Sequence, residues 1–154
     1  MYTFLLYLHS INRWLVLITA LIVLVQSFTG WQSRRPYTKG NNIVHAAFLG
    51  FVHLQLLSGL LLYFVFSPVT QQIFADFGGA MKNASLRFWA VEHTLGMIIG
   101  TILAQVGRTL SKKASSDILK HKKAFIYTLI AIIIIFLSIP FGIINPETRP
   151  LWRP

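Results

Sequence analysis

Cysteine is absent from all 154 residues, which excludes disulfides, thiolate metal centres, iron–sulfur clusters and a covalently attached c-type haem. Charge is scarce too. Only 12% of residues are Asp, Glu, Lys or Arg against 55% hydrophobic, and mean hydropathy is +0.62, too apolar for a soluble globule of this size. Hydrolase signatures are missing: there is no Gly-x-Ser-x-Gly elbow, no His-Glu-x-x-His zinc helix and no phosphate-cradling glycine loop. No catalytic residue is assigned, since the adjacent pair Glu92-His93 points ~100° apart around a helix and cannot form a dyad unaided. No long linker, low-complexity tract or internal repeat divides the chain, so residues 1–154 are read as one membrane domain. With neither a basic n-region nor a small-residue cleavage site, the first apolar run is expected to be retained.

Apolar runs dominate what is present. They cover about 2–28, 43–66, 88–106 and 125–144, each with the ~20 residues a bilayer-crossing helix needs. The expected fold is an all-α membrane protein, a four-transmembrane-helix bundle of up-down-up-down topology, because short connections favour antiparallel neighbours. The fourth helix is expected to start near 117, capped by Ser116 with Asp117, and thus to span about 117–144, with Pro140 bending its outer end. Asn83 or Ser85 is expected to cap the third. Segments 29–42 and 107–123 carry nine of the fourteen Lys and Arg residues, so the positive-inside rule makes them cytoplasmic and places both termini outside. The net charge of +10 is thereby explained by topology, with no nucleic-acid partner. Val69, Ile73, Phe74 and Phe77 are spaced to share one face of a short helix, 69–77, lying flat at the outer interface.

Polar groups within the runs then carry the functional information, because an ionisable side chain at membrane depth costs about 2.5–3.5 kcal/mol or more. They are His9, Asn12, Arg13, His45, His53, Glu92 and His93. Counting ~1.5 Å per residue puts Arg13 and Glu92 at similar depth near the outer surface, so an Arg13–Glu92 ion pair is expected; the alternative is an Arg13 that snorkels to headgroups. His9, His53 and His93 share the outer half, whereas His45 lies a turn inside the cytoplasmic face and His121 in the basic segment. Two imidazoles from facing helices can take both axial positions of a haem b without cysteine. His53 with His93 is one pair and His9 with His93 the other; in the second case His53 is free to serve a quinone or a proton route. Arg13, Lys82 or Arg87 can neutralise propionates, with Trp14, Phe51, Tyr63, Phe88 and Trp89 available as pocket walls. Gly96 and Gly100 after His93, and Gly50 before His53, leave gaps that admit either a flat macrocycle or a close-packed helix. Each histidine is equally readable as an interhelical hydrogen-bonding group, His45 and His121 above all.

The strings Leu8-His9-Ser10-Ile11-Asn12-Arg13-Trp14, Arg35-Pro36-Tyr37-Thr38-Lys39-Gly40-Asn41-Asn42, His53-Leu54-Gln55-Leu56-Leu57-Ser58-Gly59, Arg87-Phe88-Trp89-Ala90-Val91-Glu92-His93 and His121-Lys122-Lys123-Ala124-Phe125 resemble a family of small four-span inner-membrane proteins of Bacteroidota labelled cytochrome b-like. The resemblance covers nearly the whole chain. It implies a bundle in the bacterial inner membrane that binds haem b and passes electrons. The chain departs from two-haem membrane cytochromes, which need stacked histidine pairs at two depths; here one haem at most is expected. Three functional readings follow. The first is a single-haem electron-transfer protein using two of His9, His53 and His93, possessing a quinone or a larger membrane complex as partner. The second is a cofactor-free accessory or assembly subunit of a larger membrane complex, with a homo-oligomer as the other possible assembly. The third is a metal or proton-coupled transporter relaying through His53, His93 and Glu92; it is disfavoured by the meagre polar path in the inner half and by spans with no Gly/Pro break.

Overall fold

Every regular element is helical in the computed structural model, which describes residues 1–140. Helix α1 spans Tyr2–Gln32 and α2 Lys39–Leu61, the latter running on into a π-helical turn, Leu62–Phe66. Three short helices follow, α3 (Pro68–Ala75), α4 (Phe77–Lys82) and α5 (Ala84–Arg87), then a second π-helical turn, Phe88–Glu92. Helices α6 (His93–Lys112) and α7 (Asp117–Leu137) complete the described chain. Three continuous stretches, Tyr2–Gln32, Lys39–Phe66 and Ala84–Lys112, are long and apolar enough to cross a membrane.

Local chemistry sets the ends. The Thr38 hydroxyl accepts from the Asn41 backbone N–H while the Asn41 side chain accepts from the Thr38 N–H, a reciprocal cap that starts α2 four residues before its apolar run. Asn83 caps α5 by accepting from Ser85 and Leu86 N–H, and Ser116 caps α7 by accepting from Leu119 N–H. Helix α1 stops in a Schellman-type turn: Arg34 takes φ 51° and the Arg35 N–H returns to the Gly30 carbonyl, with Pro36 barring continuation. Pro140 does not bend α7, which has already ended at Leu137; the position before a proline disfavours helical backbone. The stretch 141–144 of the expected fourth span lies outside the described residues.

The expected helix 69–77 is instead two helices, because Asp76 leaves helical geometry and caps α4 through the Gly79 N–H. Its four apolar residues divide accordingly. Ile73 is fully buried against Ala80 and Ala90 with Val69 alongside, whereas Phe74 and Phe77 are exposed, Phe74 stacking on Phe64.

The long helices form a circuit in which α1 packs on α2 and α7, and α6 on α7 and α2, so α1 faces α6 across a diagonal. Opposite ends meet. Gly30 of α1 touches His121 of α7, and Asn42 of α2 bonds Arg108 of α6, while at the other end His9 bonds Ser58 and His93 bonds Ser138; neighbours therefore run antiparallel. Small residues recur along the inward stripes: Ala20, Ser27 and Gly30 on α1, Gly100, Ala104, Gly107 and Ser111 on α6, and Ala124, Thr128 and Ala131 on α7. Ile18, Leu21, Val25, Ile102, Ile133 and Phe136 point outward. Large aliphatics outside and small residues inside is the packing suited to a lipid surround.

The glycines of α6 serve that packing. A Cβ on Gly96 would meet Ser138, one on Gly100 would meet Ile135, and one on Gly107 would meet Tyr127, so α7 fills the groove they leave. Of the two occupants open to Gly96 and Gly100, the structure seats a helix. Gly50 has no neighbour within 4 Å and lies on the outward face.

Candidate functional site

A cavity of about 180 Å³ opens between the long helices at the end remote from the basic segments, lined among others by His9, Arg13, Gln55, Tyr63, Trp89 and His93. Helical phase brings them together. On α1, His9, Asn12 and Val16 follow one inward stripe; on α2, His45, Phe48, Val52, Gln55 and Ser58 do the same at intervals of three and four. Asn12, 1% exposed, fixes the register of the two helices by donating to the Phe51 carbonyl and to Gln55 Oε1, both at 2.8 Å. Gln55 answers with a bond from Nε2 to the His9 carbonyl at 3.0 Å.

The two π-helical turns frame the cavity mouth. Tyr63, in the first, donates its hydroxyl to the Ala90 carbonyl in the second at 2.8 Å. In the second turn the i+5 repeat puts Arg87 and Glu92 on one side, where Arg87 Nε and Glu92 Oε1 pair at 2.9 Å, both half-exposed. This corrects the expected Arg13–Glu92 ion pair. Glu92 precedes His93 by one position, so when His93 points inward Glu92 points out, while Arg13 faces the cavity. The Arg13 guanidinium carbon lies 5.6 Å from the Trp14 ring centroid.

His9 and His93 meet across the diagonal with ring centroids 6.4 Å apart and planes at 62°. Their partners define their tautomers. His93 Nδ1 lies 2.8 Å from the Ser138 carbonyl, which can only accept, so Nδ1 carries the hydrogen. His9 Nδ1 lies 3.0 Å from Ser58 Oγ, and that hydroxyl spends its own hydrogen on the Gln55 carbonyl, so His9 too donates from Nδ1. In each neutral ring Nε2 is then left with its lone pair, and among the described residues no hydrogen bond reaches it. Gly59 makes room for the first ring: a Cβ there would stand 3.1 Å from His9 Cε1. Trp89 and Phe88 pack beside the second, with centroids 5.3 and 5.9 Å from that of His93.

His53 is not part of this site. It is exposed on the outer face of α2, one position beyond inward-facing Val52, so the expected His53–His93 pair is not assembled and the alternative His9–His93 pair is. The signal was in the chain: the inward positions His45, Phe48, Val52, Gln55 and Ser58 share a helical phase that position 53 lacks.

A second polar cluster, at the end bearing the basic segments, escaped sequence reasoning. His45 and His121, each 1% exposed, are both in contact with Tyr37, whose hydroxyl lies 3.5 Å from His45 Nδ1 and whose ring centroid lies 4.8 Å from that of His121. Neither is an ordinary interhelical hydrogen-bonding group. Among the described residues, His45 Nε2 and both ring nitrogens of His121 are buried without a hydrogen-bond partner. Burial holds the Tyr37 phenol above its usual pKa of 10.0, opposed in part by Ser111, Arg108 and Lys120. Small residues at Gly30, Ser27, Ser111 and Ala124 were the available signal that this end closes tightly.

Among the described residues no group of three or more His, Cys, Asp or Glu side chains could hold a bare metal ion. Among the described residues, fold and cavity together define an all-helical protein with three membrane-length apolar helices and a pair of adjoining imidazoles at one end. Comparison of the chain with protein-family models, curated proteins and solved structures found no match.

Proposed function

We propose that the protein is a four-span inner-membrane cytochrome of the b type, holding one haem between His9 and His93 and taking part in electron transfer. The observation that carries this reading is the geometry of the two imidazoles. The two rings meet at one cavity with centroids 6.4 Å apart, so His9 and His93 are the residues that would hold the iron. Both rings are also tied at Nδ1 to an oxygen acceptor, the arrangement that orients a ligating histidine and raises the basicity of its Nε2. A haem bound there would supply one-electron redox chemistry. Arg13 adds a cation at the same cavity that suits a propionate, and Trp89 and Phe88 shield the His93 side from water.

In this reading α7 continues as a fourth span, the basic segments 29–42 and 107–123 face the cytoplasm, and both termini lie outside. His9 and His93 then sit toward the outer leaflet. One haem near one face does not bridge the membrane, so a quinone or a larger complex is the partner. The Asn12–Gln55 lock is equally what a cofactor-free subunit needs to fix its helix register, which makes that the competing reading.

The test is a reduced-minus-oxidised visible spectrum of detergent-purified protein, with a pyridine haemochrome assay for stoichiometry. A b-type α-band at about one haem per chain, lost in His9→Ala and His93→Ala and kept in His53→Ala, is expected. A colourless preparation unchanged by added hemin refutes the haem and leaves the cofactor-free subunit. Topology is checked independently by single-cysteine labelling, for which the cysteine-free chain is already suited.

A further inference from the structure

The polar cluster at the basic end has no part in electron transfer through His9 and His93. His121 is 1% exposed, and among the described residues neither of its ring nitrogens has a hydrogen-bond partner. In any tautomer an imidazole carries at least one N–H, and a buried donor without an acceptor marks a place where something else completes the structure. The ring is held against Gly30, where any side chain would collide with it, and against Tyr37.

His121 forms one wall of a cleft of about 300 Å³ whose other walls include Gln26, Gly30, Arg35, Thr38 and Asn41. Each wall is set by local structure. The turn that ends α1, with Arg34 at φ 51° and Arg35 N–H bonded to Gly30, swings exposed Arg35 to the rim. The reciprocal Thr38–Asn41 cap starts the 23-residue α2 at the same cleft, of which Thr38 and Asn41 are both walls. Asn41 Nδ2 is anchored on Gln26 Oε1 at 3.2 Å, leaving its second hydrogen to spare. Of the carboxylates, only Asp117 lies in either basic segment, and its Oδ1 is engaged by Lys120 Nζ at 2.9 Å.

We propose that this cleft is a binding site for a phosphate group, carried by an anionic lipid headgroup or by a free phosphate. A guanidinium at the rim, the positive end of a long helix and a buried imidazole N–H approach one space from three sides, which suits an anion with several oxygen acceptors. The unpartnered His121 sets this cleft apart from a merely basic surface, whose charges are all solvated. The site is independent of haem.

The test follows the His121 Cε1–Hε1 cross-peak, assigned by its loss in His121→Gln, in the isotope-labelled full-length protein in dodecyl maltoside. Inorganic phosphate and phosphatidylglycerol are titrated separately, with potassium chloride as the ionic-strength control. A saturable displacement by both ligands shows recognition of the phosphate group itself; displacement by the lipid alone assigns the headgroup, and by inorganic phosphate alone a soluble anion. Arg35→Gln, on an exposed turn, should keep the helical circular-dichroism signal and weaken saturation about tenfold or more. If neither ligand moves the peak beyond the chloride control, or if Arg35→Gln saturates like the wild type, the proposal is overturned.

Discussion

Ser58→Ala should loosen haem without touching either proposed ligand. Ser58 is buried, accepts from His9 Nδ1 at 3.0 Å and donates to the Gln55 carbonyl at 3.1 Å, so it alone passes that carbonyl's acceptor character on to the imidazole. Removing the hydroxyl takes away the atom that holds His9 in its Nδ1–H tautomer and orients Nε2. Losses of such outer-shell partners cost about 10–100-fold in metal affinity, equivalent to about 1.4–2.7 kcal/mol. Ser138→Ala provides the contrast. The partner of His93 is the Ser138 main-chain carbonyl, at 2.8 Å, which an alanine retains, so affinity should stay within about twofold of wild type. The assay is a hemin titration of the cofactor-depleted variants followed at the Soret band, with a potentiometric titration of the loaded proteins. Ser58→Ala should also raise the reduction potential, because a less basic imidazole stabilises ferric iron less. Equal affinities for Ser58→Ala and wild type, or an equal weakening by Ser138→Ala, would refute the tautomer argument and with it the role given to His9.

Three further outcomes follow from packing and burial. Gly107→Ala drives a Cβ into Tyr127 and must separate α6 from α7, costing about 1–3 kcal/mol, whereas Gly50→Ala meets nothing within 4 Å and should stabilise by about 0.5–1 kcal/mol; thermal unfolding in detergent by circular dichroism reads both. Asn12→Ala strands the half-buried Gln55 Oε1 and one lone pair of the Phe51 carbonyl, a loss of about 1–3 kcal/mol in the same assay. Tyr37 has its pKa raised by burial, so above about pH 10 the unfolded chain releases that proton while the folded chain keeps it, and stability falls as pH rises through that window. Tyr37→Phe should remove the latest-titrating tyrosinate absorbance and flatten that pH dependence.

The chain by itself determined whatever depends on one dimension. Hydropathy marked out long apolar helices, and capping chemistry placed Asn83 and Ser116 at helix starts. The rise of ~1.5 Å per residue put His9 and His93 in the same half as Arg13 and Glu92. What depth leaves open is rotation about each helix axis, and tertiary packing decided it. Glu92 and His93 differ by one residue and ~100°, which sent the carboxylate to Arg87 and the imidazole to the cavity. A π-helical turn at Phe88–Glu92 adds an extra residue to its turn and shifts the phase of everything before it, and no residue pattern there advertises it. His53 lost its place to His9 for the same reason, lying one position off the stripe that α2 presents to α1. Gly96 and Gly100 offered a gap but not its occupant; that choice belonged to Ser138 and Ile135, over thirty residues away. The contact of His45 and His121 with Tyr37 is the extreme case. Tyr37 and His45 stand only eight residues apart, but His121 joins them only when the basic ends of the helices close together, a long-range event that no local spacing encodes.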